Sequence, residues 1–219
     1  MDSTKHDKAG AVVAFVSQKG GVGKSTLSRG LAREAAKAGL RAKIADLDIQ
    51  QGTSVAWQRR RLAAEVEPRI WVENFATAEQ ALEEALRFDL LIIDAPARAS
   101  KGTEQIARAA TLIIQPTDPC LDDLEPAVKV FHELAKAGIS KHKLAFAINK
   151  VLTPPEETAA RAYLTEAGYE VIAGYLPIKM CYRDAHDHGR SITETRYDAL
   201  NSKADALIQS IIDRIPTYG

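Results

Sequence analysis

Short apolar runs rich in β-branched residues recur along the chain, and segments with helical spacing separate them. Ala11–Ser17 (AVVAFVS) is the first run and reads as a buried strand. Ser25–Ala38 follows with apolar positions at helical intervals and stops at Gly39, a helix-end signal. Arg41–Leu47 reads as the next strand, Ser54–Ala64 as a helix and Arg69–Val72 as a short strand. Thr77–Leu86 is a helix with Thr77 as its N-cap, and Leu90–Ile93 is the most apolar strand. Helix Thr103–Ala110, strand Leu112–Gln115 and helix Leu121–Ala137 come next, the last ended by Gly138. Strand Leu144–Asn149, helix Pro155–Ala167 before Gly168, strand Val171–Tyr175 and helix Leu200–Ile215 complete the pattern.

Strands alternating with crossover-length helices predict an α/β fold: a largely parallel, twisted sheet with helices on both faces. Such sheets place ligands at the carboxyl ends of their strands. With 219 residues and no visible repeat or linker, the expectation is one domain over residues 11–219, preceded by a loose tail over 1–10. That tail is polar and lacks the apolar core of a signal peptide, and no run approaches the ~18 apolar residues of a membrane span. Lys plus Arg and Asp plus Glu are 29 each, so bulk charge names no partner and any nucleic-acid site must be a local patch. Cys120 and Cys181 stand far apart, which suits a reducing cytoplasm and gives no metal pair.

The chemistry begins directly after the first strand, at Gln18-Lys19-Gly20-Gly21-Val22-Gly23-Lys24-Ser25-Thr26. Three glycines in four residues let the backbone curl so that several N–H groups point inward, and the following helix start adds partial positive charge. Lys24 can reach the β- and γ-phosphates of a nucleotide, and the Ser25 hydroxyl can ligate Mg²⁺. The standard loop has glycine where Gln18 stands, and Lys19 follows it. This resembles the deviant Walker A loop, K-G-G-x-G-K-[ST], of the ParA/MinD family of P-loop ATPases. The resemblance implies that Lys19 crosses a dimer interface to the other subunit's nucleotide. A cation supplied in trans stabilises charge on the transferred phosphoryl group as an arginine finger does.

Three carboxylates close later strands. Asp46 and Asp48 sit two apart at the end of the second strand, so both can point to one face. The family carries D-x-D-P-Q here, with Ile49 standing where proline is usual. By that match Asp48 orients the attacking water and Asp46 supports the Mg²⁺ shell. Leu90–Asp94 resembles the Walker B element, and Asp94 would hold Mg²⁺ through water. Asn149-Lys150 ends a strand as in GTPases, but Leu152 stands where guanine readers have an acid. Asn149 can still bond adenine, so ATP is the expected nucleotide. Leu176-Pro177 reads as a plain turn or, by the resemblance, as part of the base pocket.

The likeness runs from Val12 to Ile215. The short start leaves no room for the N-terminal helix-turn-helix of some relatives, so the chain is similar to small, ParF-like partition ATPases. Trp57 and the segment Gln115–Asp122 match that branch. The resemblance implies a cytoplasmic homodimer formed on ATP, nucleoid-associated in that state through non-specific DNA binding. A centromere-binding, ParB-like adaptor would trigger hydrolysis. Positioning a protein cargo and assisting conjugative transfer are alternatives with the same engine. A dethiobiotin-synthetase-like ligase would lack a lysine like Lys19, and a nitrogenase-type reductase would need a thiol near Ala97. Trp57–Arg61 reads as a solvated basic face, with a partner or DNA contact as the alternative. Lys179, Arg183, Arg190, Arg196 and Lys203 form a looser basic series interleaved with acids. His186 and His188 read as a surface loop rather than a metal site. The last helix is too poor in Lys and Arg for a membrane-surface helix and is expected to dock on the sheet.

Overall fold

A computed structural model gives the fold of the protein; it describes residues 9–97 and 101–215. Strand β1 (Ala11–Phe15) leads into helix α1 (Lys24–Lys37), followed by β2 (Ala42–Asp46), α2 (Thr53–Ala63), β3 (Trp71–Asn74) and α3 (Ala78–Glu83). Then come β4 (Leu90–Asp94), α4 (Lys101–Ala109), β5 (Leu112–Thr117), α5 (Leu121–Lys136), β6 (Leu144–Val151) and α6 (Pro154–Glu166). Two short strands, β7 (Glu170–Val171) and β8 (Leu176–Pro177), precede α7 (Met180–Asp187) and α8 (Asp198–Ile212). The strands form a parallel sheet in the order β3-β2-β4-β1-β5-β6-β7, with β8 also paired to β6. The chain order reverses around β1, which lies between β4 and β5, so the crevice beyond β1 is where a ligand belongs.

Strand parity assigns each side chain to a face. Val12, Ala14 and Val16 point into one core with Leu91, Ile93 and Phe146, against α3, α4, α5 and α6. Ala11, Val13 and Phe15 point into the other with Leu90, Ile92, Ile44, Ala145 and Ala147, against α1, α2 and α8. Asp46, Asp94 and Asn149 continue the second set by two-residue steps. All three therefore face α1 at the carboxyl edge.

Four expectations need correction. The third strand lies two residues later than its pattern suggested, at Trp71–Asn74. The strand read at Val171–Tyr175 is only the pair Glu170–Val171, and Leu176-Pro177 is a strand rather than a bare turn. Helix α7 went unread; its signals were Tyr182 and Ala185 at helical spacing and Gly189 with φ 69° just beyond. His186 therefore lies on a helix, not in a loop. Residues 1–8 of the expected tail lie outside the described residues, while the Gly10 N–H donates to the Ala85 carbonyl at 2.7 Å.

The fourth correction is Arg61, which is buried at 1% exposure instead of solvated. Its guanidinium donates to both Glu194 oxygens at 2.7 and 3.0 Å, and to the Pro68 and Gly189 carbonyls. Gly189 abuts the α2 backbone so closely that an added Cβ would sit 2.3 Å from the Arg61 nitrogen. The Trp57 indole donates to the Arg190 carbonyl at 2.9 Å. These contacts clamp α7 and the following loop onto α2. Arg59 and Arg60 remain exposed. Helix α8 buries Ala204, Leu207, Ile208 and Ile211 against α1 and the sheet, so its apolar stripe is spent inside the fold.

Burial pushes the Glu194 carboxyl upward, but the Arg61 hydrogen bond and the Ser191 N–H outweigh it and hold it below the ordinary range. Glu194→Gln leaves a buried guanidinium unpaired. At pH 7 it should cost about 3 kcal/mol, or a fall in Tm of about 6–12 °C. A depressed carboxylate contributes stability present above its unfolded pKa and lost as pH falls through the folded value. The gap between wild type and variant should therefore close below the ordinary glutamate range. Thermal melts from pH 7 to 3 read both effects.

Candidate functional site

The segment after β1 turns back over the sheet edge and enters α1. Gly21 and Gly23 have φ of 77° and 106°, a region costly for residues with a Cβ. At Gly21 the space beside the backbone is open, whereas a Cβ on Gly23 would lie 2.3 Å from the Asn149 side-chain nitrogen. No acidic residue and no capping side chain occupies the first turn of α1. Its N–H groups, with those of Gly20–Gly23, thus form a cradle for an anion. Lys24 is buried at 8% exposure, and its Nζ donates to the Lys19 carbonyl at 3.3 Å. Burial lowers its pKa, opposed by the nearby Asp94 and Asp48. Ser25 and Thr26 follow it in the first turn, partly exposed.

Asn149 stands otherwise than expected. Parity puts it on the α1 face beneath the loop, 1% exposed, where its amide donates to the Val22 carbonyl at 3.0 Å. It braces the phosphate loop through that bond, while its Oδ1 has no hydrogen-bond partner. Lys150, with φ 55°, turns away and pairs with Asp118 at 3.1 Å. Pro177 lies in β8, alongside Val151.

Asp46 and Asp94 are register partners on β2 and β4, both buried. Asp46 accepts the Asp48 N–H on one oxygen and the Ser54 N–H on the other, each at 3.0 Å. Asp94 accepts the Ser54 hydroxyl at 3.0 Å and also bonds Ser25. Burial raises both carboxyls; hydrogen bonds from Ser25 and Ser54 pull Asp94 back, Asp46 pushes it up, and it comes to about 6. Two adjacent buried carboxyls resisting ionisation, with the Ser25 hydroxyl beside them, fit a small divalent cation. Mg²⁺ is held by one or two carboxylates plus waters and phosphates rather than by a full protein cage. Among the described residues no three His, Cys, Asp or Glu side chains cluster for a metal. Asp48 is half-buried at the start of the turn into α2, its carboxylate accepting the Gln51 N–H at 3.2 Å.

Lys19 is half-exposed at the rim of the loop. Its ammonium pairs with the Asp123 carboxylate and donates to the Asp122 carbonyl at 3.2 Å, both at the start of α5. The Asp123 hydrogen bond raises its pKa despite some burial. His186 is half-buried, and burial, with the cations of Arg29 and Arg60 adding, lowers its pKa to about 3. Sequence reasoning passed over Ser54, Arg29 and Asp123. The only hint for Ser54 was its place one residue inside a helix that follows Gly52.

A glycine cradle closed by a lysine and faced by strand-end carboxylates at a sheet's switch point defines a P-loop nucleotide-binding protein. The family model of the CobQ/CobB/MinD/ParA nucleotide-binding domain matches residues 13–192. The chain belongs to that family, and the ParA/MinD resemblance of its loop is borne out. No curated protein matches it in sequence. Solved structures match its fold. The Pyrococcus furiosus cell division ATPase MinD is 17% identical over 93% of this chain and 99% of that one, with a TM-score of 0.74. The Pyrococcus horikoshii OT3 septum site-determining protein MinD, complexed with Mg-ADP, is 16% identical over 92% and 95%, TM-score 0.73. A Borrelia burgdorferi B31 protein provisionally assigned to plasmid partition, solved with AMPPNP, is 11% identical over 94% and 100%, TM-score 0.72.

Gly23→Ala should abolish nucleotide retention, because it meets Asn149 and strains a φ of 106°. Adding Asn149→Ala removes the clash but not the strain, so the double variant should stay impaired. Titration with a fluorescent ATP analogue checks this; full binding by the double variant would show that the clash alone mattered.

Proposed function

We propose that the protein is an Mg²⁺-dependent ATPase that partitions DNA, switching between a monomer and an ATP-bound homodimer. In this reading Gly20, Gly21, Val22, Gly23, Lys24, Ser25 and Thr26 wrap the phosphates, and Lys24 neutralises the β- and γ-phosphates. Ser25, Asp94 and Asp46 hold Mg²⁺ directly or through water, and the ion when bound offsets phosphate charge. Asp48 orients the attacking water. Asn149 keeps the loop in shape, and Pro177 flanks the base.

The observation that carries the reading is Lys19, a second loop lysine at the exposed rim with its charge held by only one chain's Asp123. Within its own subunit its ammonium is turned to the start of α5. Exposed Ile49, Leu121, Leu152, Ile178 and Met180 also lie beyond the carboxyl ends of β2, β5, β6 and β8. They give the nucleotide edge an apolar surface suited to a second copy. Closing two such edges brings Lys19 of each chain toward the other's nucleotide. Exposed Arg59, Arg60, Arg183, Arg190 and Arg196 gather along α2 and the clamped α7 segment. Paired copies would double that basic ridge for duplex DNA without sequence preference. A ParB-like adaptor is the proposed trigger of hydrolysis. Among the described residues no helix is long and apolar enough to cross a membrane.

Lys24→Ala should lose ATP binding, whereas Lys19→Ala should bind ATP normally and fail to dimerise or turn over. Asp48→Ala should keep ATP affinity, hydrolyse about 10²-fold more slowly and accumulate as dimer. ATP-loaded wild type should be retained on random duplex DNA, ADP-loaded protein should not, and retention should fall steeply with salt. Size-exclusion elution, phosphate release and DNA retention read these outcomes. Equal loss of ATP binding in both lysine variants overturns the trans-lysine role, and nucleotide-independent DNA retention overturns partition.

A further inference from the structure

Ser54 sits one residue inside α2, wholly buried, and touches both members of the carboxylate pair. Its N–H donates to Asp46 and its hydroxyl to Asp94, each at 3.0 Å. That hydroxyl has a single hydrogen to donate, and it is committed to Asp94. The donation is directed from the other side: the Arg29 Nε–H approaches the Ser54 oxygen at 3.4 Å and occupies its acceptor side. Arg29 itself is buried on α1, five residues beyond Lys24, and its guanidinium lies 5.6 Å from the Trp57 ring centroid. The guanidinium packs against Trp57 of α2, whose indole is fixed by its own bond to the Arg190 carbonyl. A line of contacts therefore runs from α1 through Arg29 and Ser54 to the ends of β2 and β4.

We propose that Ser54 is a positioning residue for the cation site: it fixes the spacing and orientation of Asp46 and Asp94, with Arg29 as the buried counter-charge that locks its hydroxyl. The proposal rests on the nucleotide reading above and names the residues that set its Mg²⁺ requirement. Groups that orient metal-holding carboxylates without touching the metal commonly control metal affinity tenfold or more. Free to rotate, the Asp94 carboxylate would have to be ordered anew each time a cation binds. Held by Ser54, it is preorganised. Ser54 is wholly buried and spends its N–H and hydroxyl on the two carboxylates, so its effect should appear in the metal dependence and not in nucleotide binding as such.

The test measures affinity for a fluorescent ATP analogue in EDTA and across a Mg²⁺ titration, with Tm measured in parallel. Ser54→Ala should raise the Mg²⁺ concentration for half-maximal tightening by about tenfold, leaving affinity in EDTA unchanged. Ser54→Thr, which keeps the hydroxyl, should restore the wild-type requirement. Arg29→Met should shift the requirement in the same direction and decides the matter if Ser54→Ala does not fold. An unchanged Mg²⁺ requirement in the folded variants overturns the positioning role. Loss of affinity in EDTA equal to that in Mg²⁺ does so too, since it would mark a general structural defect. Wild-type protein that binds no analogue under any condition sinks the nucleotide reading instead.

Discussion

Asp46 and Asp94 end neighbouring parallel strands at paired positions, buried side by side on the face that receives α1. Two like charges so placed cost several kcal/mol each unless something compensates them. The surroundings are organised around that cost. Backbone N–H groups of Asp48 and Ser54, the Ser54 and Ser25 hydroxyls, and the cations of Lys24 and Arg29 all converge on the pair. Strand parity creates the proximity, and α1 together with the segment from β2 into α2 supplies the compensation. The site is therefore a property of the sheet's register as much as of the loop.

That division explains what was legible in the chain. The loop glycines, Lys24 and the three carboxylates form local patterns, and the alternation of strands and helices placed them at the carboxyl edge, although Asp48 lies in the turn beyond β2 rather than on it. Most helices and strands were visible for the same reason: their apolar periodicity is uninterrupted. What escaped were contacts between distant segments. Arg61 lies in a basic run, and only its partners Glu194, Pro68 and Gly189 make it a core residue. Asn149 sits in a motif that elsewhere reads a base, yet the close approach of Gly23 and Val22 turns it into a brace. Strands β7 and β8 are two residues each and carry too little pattern to be read.

The Lys19–Asp123 pair sets a condition on any activity in trans. A half-exposed ion pair contributes little to stability, because water screens it. It holds the lysine without trapping it. The start of α5, which carries Asp123, is thus joined electrostatically to the loop that binds the phosphates. Residues Gln115 to Asp122 are the strand-to-helix segment that delivers this carboxylate.

The chain contains two tryptophans, and the fold gives them opposite environments. Trp71 opens the edge strand and is 63% exposed, whereas Trp57 is fully enclosed between the guanidiniums of Arg29 and Arg61, each 5.6 Å from its ring. An indole close to two cations has an emission energy tuned by their positions. It lies one helical turn beyond Ser54 and is bonded to the segment after α7. The molecule thus carries a native optical probe on the same helix as the serine that bonds the carboxylate pair. Trp71, in water, provides the internal reference.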